Sequence, residues 1–125
     1  MIKNEIKNIE NAIQKSRVLE SCFVYRGVLD LNWLPNPAIG EEFTEEAFGS
    51  FSLEYEKALE YTNENNSIIF QLLLTPEMNA LYFDKSEFEI LRPTNTRYSI
   101  INIEMTTSDI NKNTTVYTIV EIKRD

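Results

Sequence analysis

Ile2, Ile6, Ile9 and Ile13 recur at steps of four, three and four, with polar and charged residues between them. Side chains at that spacing stack on one face of a helix, so the pattern predicts an amphipathic helix over about Ile2 to Leu19, packed on a sheet. The pattern then changes. Cys22 to Val28 is dense in β-favouring side chains (Phe23, Val24, Tyr25, Val28) and reads as a strand. Pro35 and Pro37 follow too closely for regular structure, so Leu29 to Glu46 reads as a long surface loop. Ala47 to Ser52 reads as a short strand. Ser52 is then placed to cap a helix running to about Tyr61, with Glu54 and Glu56 near its positive end.

After the polar break Asn63 to Asn66, Ser67 to Thr75 is a strongly apolar strand, expected to be covered on both faces. Thr75 to Ser86 contains Pro76, Asn79 and Asp84 and reads as a second long loop. Three strands follow, Glu87 to Arg92, Arg97 to Thr106 and Thr114 to Lys123, joined by Pro93-Thr94-Asn95 and a turn region over Ser108 to Asn113. A helix, a strand, a second helix and then a run of strands indicate the α+β class. Residues 1–125 contain no repeat, low-complexity tract or linker and match the size of one domain.

Composition narrows the chemistry. The longest apolar run, Ile68 to Leu74, is broken by Gln71 and falls far short of the ~20 residues a membrane span requires. Lys3, Asn4, Glu5 and Lys7 leave no apolar signal-peptide core near the start. The expectation is therefore no membrane partner, and a cytoplasmic site or a signal-less route into a target cell. A net charge of −8 argues against nucleic acid as partner, because a phosphate backbone needs an electropositive footprint. The chain has no histidine and one cysteine, Cys22, which excludes histidine-built zinc sites, Ser-His-Asp triads, Cys-His dyads and an internal disulfide. No metal is expected. Carboxylate, hydroxyl, guanidinium and ammonium groups remain.

Three groups of residues could carry chemistry. On a strand, Glu87 and Glu89 share one face while Phe88 and Ile90 point into the other. Two carboxylates about 7 Å apart repel by about 2.4 kcal/mol at an effective dielectric near 20, and titrate as a pair unless a cation relieves them. Taken alone, the pair is better accounted for by a solvated strand face. Arg26 lies within the apolar strand Phe23-Val24-Tyr25-Arg26-Gly27-Val28, where its charge needs a partner, and Gly27 lets another group approach the backbone. That partner is either a ligand's pyrophosphate or carboxylate or one of the chain's own acids. Ser50 and Ser52 flank Phe51 at period two, so both hydroxyls share a face and can orient a neighbouring carboxylate.

Taken in order, these stretches carry a resemblance. Val24-Tyr25-Arg26-Gly27-Val28, the run Gly40 to Leu53 ending Gly49-Ser50-Phe51-Ser52-Leu53, Asn79-Ala80-Leu81-Tyr82-Phe83 and Glu87-Phe88-Glu89-Ile90-Leu91-Arg92-Pro93 resemble the arginine, serine, glutamate class of mono-ADP-ribosyltransferases. The similarity runs from about Glu10 to Ile103. It implies an ADP-ribosyltransferase-like fold, a mixed β core of two packed sheets with an N-terminal helix and one short helix, in a toxin or effector of a bacterium or phage. It also implies NAD as co-substrate and a protein target as partner.

By the same resemblance Arg26 holds the NAD phosphates, with Tyr25, Gly27, Ser50 and Ser52 as further NAD-binding positions. Ser50 steadies the catalytic Glu89. Glu87, two residues earlier, resembles the arginine-modifying members, so the acceptor would be an arginine. Tyr82 to Ser86, with Phe83, would form the turn-turn loop that meets the target together with Glu87. Phe51 stands where the family carries threonine, on the side away from the serines. One helix precedes Arg26 where many relatives carry a larger helical lobe, which implies weak NAD affinity. Other readings are plain NAD glycohydrolysis, a catalytically degenerate module of the same fold that binds a protein and, more distantly, a small carboxylate glycosidase.

Overall fold

The computed structural model describes residues 2–62, 66–84, 89–107 and 113–123. Helix α1 spans Ile2–Lys15 and strand β1 spans Cys22–Val28, followed by β2 (Glu42–Glu45) and β3 (Gly49–Ser52). Helix α2 (Tyr55–Leu59) leads to β4 (Asn66–Leu74), β5 (Leu81–Asp84), β6 (Glu89–Arg92), β7 (Thr96–Thr107) and β8 (Asn113–Glu121).

α1 is shorter than its isoleucine spacing predicts because tertiary partners replace its last turn. The Val18 amide donates to the Met78 carbonyl, the Ala80 amide donates to the Ser16 carbonyl, and Arg17 bridges Asn79. The Asn79 side-chain amide also donates to the Gln14 and Ser16 carbonyls, serving groups that a helix end leaves open. Ile13 is fully buried.

Two strands fall inside stretches that the sequence predicts as loops. β2 lies within Leu29 to Glu46, and β5 lies within Thr75 to Ser86. Both are four-residue strands at the two ends of the sheet, where a strand pairs on one side only and can be short. Tyr82 and Phe83, expected in a target-contacting loop, therefore sit on β5, with Leu81 and Tyr82 opposite Leu91 and Ile90. The expected helix after Ser52 is also later and shorter. Glu54 is the residue preceding it and makes no side-chain cap, while the Ser52 hydroxyl accepts the Glu54 amide at 3.1 Å in the turn before the helix.

The strands form one mixed sheet in the order β2-β7-β8-β4-β1-β3-β6-β5, in which β4 and β8 run parallel and the other pairs antiparallel. The two expected sheets are joined by a single register pair, Tyr25 opposite Ser52. The packed layers arise because this sheet folds over on itself. In a flat sheet, strands four places apart would be about 19 Å apart. Here Phe51 of β3 and Tyr98 of β7, four places apart, have ring centroids 6.4 Å apart. Arg92 of β6 pairs with Glu121 of β8, again four places away. Val24, Phe51, Phe70, Leu72, Ile90, Tyr98, Ile100 and Ile119 fill the space between the layers.

Tyr98 is nearly inaccessible, and burial pushes its phenol above its usual value of 10.0 even though the Arg92 guanidinium beside it acts in the opposite direction. A raised folded value means that the fold favours the neutral phenol. That contribution is fully present below the unfolded value near 10 and is lost as pH rises through the folded one. Urea unfolding between pH 8 and 11 is expected to show Tyr98→Phe losing less stability than the parent above about pH 10. Parallel curves would remove Tyr98 from the alkaline transition.

Candidate active site

β1 and β3 share one register pair and then diverge, so a cleft opens where the two halves of the sheet part. It has a volume of about 350 Å3, within the range of small-molecule sites. Tyr25, Arg26 and Gly27 come from β1, Ser50, Phe51 and Ser52 from β3, and Glu89 from β6. α2 supplies Lys57 and Ala58, with Tyr61 just beyond it.

The pairing explains why these residues meet. Ser52 lies opposite both Tyr25 on one side and Glu89 on the other, so side-chain alternation turns Tyr25, Ser52, Ser50 and Glu89 to one face. Phe51 and Ile90 turn to the other and enter the core. On the shared face the Ser50 hydroxyl donates a short hydrogen bond to Glu89 Oε2. That bond fixes one carboxylate oxygen and leaves Oε1 able to accept from a ligand. Tyr25 is held edge-on against Tyr55, centroids 5.5 Å apart.

Arg26 alternates to the opposite face, across from Phe70, yet it lines the same cleft where the strands part. Its Nη1 lies 2.9 Å from Glu45 Oε1 on β2. Of the two partners open to it in the sequence, the chain's own acid is therefore present. Positions 26, 50 and 89 border one cavity, and only 50 and 89 touch directly.

Gly27 has an identifiable reason to lack a side chain. A Cβ there would overlap the Ala58 carbonyl oxygen and stand 2.9 Å from Thr62 Cγ2. The group that approaches this backbone is the protein's own α2, which packs Ala58, Tyr55 and Leu59 with Tyr25, Ile69 and Val116 on that face. Tyr82 is exposed, and its partner Ile90 is the residue after Glu89. Glu87 and Phe88 lie outside the described residues, as do Lys85 and Ser86.

The sequence reading overlooks Glu45, Lys57 and Tyr61. Lys57 and Tyr61 are four apart, a spacing that places two side chains on one helical face, so this signal was available. Glu45 had none, because its meeting with Arg26 depends on the folding-over of the sheet. Cys22 offers no competing nucleophile, since burial and then Glu20 push its thiol up, away from the thiolate. Among the described residues no group of three or more metal-ligating side chains forms, and no helix is long and apolar enough to cross a membrane.

The sequence model of the ADP-ribosyltransferase exoenzyme family matches residues 1–123. The chain belongs to that family. Its fold is that of solved ADP-ribosyltransferase toxins. C3stau2 from S. aureus, solved with NAD, superposes with a TM-score of 0.74 at 21% identity over 98% of this chain and 72% of that one. Plx2a, an ADP-ribosyltransferase toxin from Paenibacillus larvae, gives a TM-score of 0.69 at 19% identity over 98% of this chain and 71% of that one. The enzymatic component C2-I of the Clostridium botulinum C2 toxin gives 0.75 at 20% identity over 97% of this chain and 36% of that one. Among curated proteins, none matches by sequence.

Within the exoenzyme fold Gly27 seats α2 against β1. Gly27→Ala is expected to lower the unfolding free energy by about 1–3 kcal/mol, because the obstructing atom is backbone and the helix must shift. Urea denaturation measures this, and an unchanged midpoint would contradict the close seat of α2.

Proposed function

We propose that this chain is an NAD-dependent mono-ADP-ribosyltransferase that binds NAD in the cleft between β1 and β3 and transfers ADP-ribose to an arginine of a protein target. The observation that carries the reading is the Ser50–Glu89 hydrogen bond inside a cleft that also takes in Arg26, in a chain belonging to the exoenzyme family.

Cleaving the nicotinamide–ribose bond releases a good leaving group, so the demand on the protein is to stabilise an oxocarbenium-like centre as positive charge develops. Glu89 can do this by charge and by accepting a hydrogen bond from a ribose hydroxyl, much as a carboxylate does in glycoside cleavage. Its Oε2 is already engaged by Ser50, so the carboxylate is oriented before substrate arrives. Arg26 offers the phosphates the donors that Glu45 does not use. Lys57, within reach of Glu60 at 3.8 Å, adds a second cation to the cleft wall, and the exposed Tyr61 offers a ring for stacking. Glu87 is assigned to binding and helping to deprotonate the incoming guanidinium, which is otherwise cationic and non-nucleophilic. That assignment rests on the sequence resemblance alone.

Incubation with labelled NAD and a lysate, with nicotinamide release followed in parallel, tests the reading. Label on protein arginine supports transfer, whereas nicotinamide release without label identifies an NAD glycohydrolase. Absence of both together with no NAD binding leaves a protein-binding relative of the fold. Glu89→Ala is expected to lose transfer and hydrolysis together by about 100- to 1,000-fold. Glu87→Ala should lose transfer while retaining more hydrolysis, and equal loss of both would end the division of labour between the two glutamates.

A further inference from the structure

Arg26 is the cleft's strand-borne cation, and its guanidinium ends a long side chain with many rotamers. A flexible group of that kind binds phosphate poorly unless something fixes it first. Glu45 is in place to do so. Its backbone is fixed by β2, which pairs with β7 through Glu42–Ser99, Phe43–Tyr98, Thr44–Arg97 and Glu45–Thr96. β2 is further pinned by Phe43, whose ring lies 5.3 Å from Phe70 and 5.4 Å from Trp33. The Glu45 side chain is 18% exposed and that of Arg26 is 32% exposed, so the pair is partly withdrawn from solvent while the arginine keeps an accessible edge. The contact is made through Nη1, and a carboxylate on one edge of the five-donor fork leaves another edge for a ligand.

We propose that Glu45 is a positioning residue for the dinucleotide: it holds the Arg26 guanidinium at the lip of the cleft with its remaining donors available to the phosphates. The inference rests on the reading of the cleft as an NAD site. A planar guanidinium with a carboxylate on one edge can take a phosphate on another, so the cation lies between the two anions and screens one from the other. The opposite arrangement, in which Glu45 competes with the phosphates for Arg26, predicts the reverse response to removing its charge.

The two are separated by calorimetric titration of ADP-ribose, with nicotinamide as the ligand without phosphate, into the parent, Glu45→Gln, Arg26→Lys and the double variant. Glu45→Gln is expected to weaken ADP-ribose binding by about tenfold, equivalent to 1.4 kcal/mol, leaving nicotinamide unaffected. In the Arg26→Lys background that effect should vanish, because the oriented fork is already gone. Unchanged or tighter ADP-ribose binding in Glu45→Gln overturns the inference, as does an undiminished effect in the Arg26→Lys background. Should Glu45→Gln fold poorly, Glu45→Asp keeps the charge with a shorter reach and is expected to give a smaller loss; no loss or a gain counts against the proposal. A parent that takes up neither NAD nor ADP-ribose refutes the NAD reading itself. The ligand-free part is tested by 15N spectra of the Arg26 guanidinium, where slow rotation in the parent and free rotation in Glu45→Gln are expected. Free rotation in the parent overturns the positioning role by itself.

Discussion

The folding-over of one hydrogen-bonded sheet is the constraint on which the rest of this molecule depends. Phe51 reaches Tyr98, Arg92 reaches Glu121 and Arg26 reaches Glu45, and each contact joins strands four places apart in the sheet order. The aromatic contact contributes apolar burial, which is non-directional and favours closure without defining its angle. The two ion pairs add direction. Arg92 is almost fully buried and also donates to the Asn79 carbonyl, so removing it would leave Glu121 and that carbonyl without their partner. The same Asn79 holds the end of α1, so the closure and the first helix are fastened at one place, next to the turn in which the Met78 amide donates to the Thr75 carbonyl.

The site follows from where the sheet is weakest. Along most of its width the ladder is continuous, with β1 and β4 matched over seven residues from Cys22–Leu74 to Val28–Ile68. Between β1 and β3 it narrows to one pair. Here the ladder is interrupted between β1 and β3, which leaves a gap walled by strands on both sides. Strands are more exact supports than loops, and the pairing of β3 with β6 holds Ser50 and Glu89 in hydrogen-bond contact. α2 closes one end of the gap, which its carbonyl contact above Gly27 permits.

How legible this was in the sequence varied with how local the cause is. β1 matches its predicted span, and the apolar β4 lies within a residue of its own, because dense β-branched and aromatic runs report strands wherever they end up. The helix of α1 was legible from the isoleucine spacing, but its end was not, since bonds to Met78 and Asn79 replace its last turn. β2 was missed because an edge strand needs little apolar surface, and Glu42-Phe43-Thr44-Glu45 offers one such side chain, whereas the apolar Leu81-Tyr82-Phe83 of β5 was masked by the loop-forming Pro76, Asn79 and Asp84 around it. That Ser50 and Ser52 share a face was legible through period-two alternation, and that Glu89 meets them through the family resemblance. Gly27 was legible as a place of close approach, though what approaches it is helix α2. Glu45 was illegible: a contact across four strands leaves no trace in a linear pattern.

Charge gives the cleft its character. The chain carries −8 overall, so a dinucleotide with a negative pyrophosphate meets no long-range attraction, and exposed charges beyond about 8–10 Å are screened at physiological salt in any case. On the proposed reading, recognition of the phosphates is short-range, and Arg26 and Lys57 are the cations among the described residues that line the cleft. A site with so few cations gains more from holding one guanidinium in a single orientation than from adding another mobile charge.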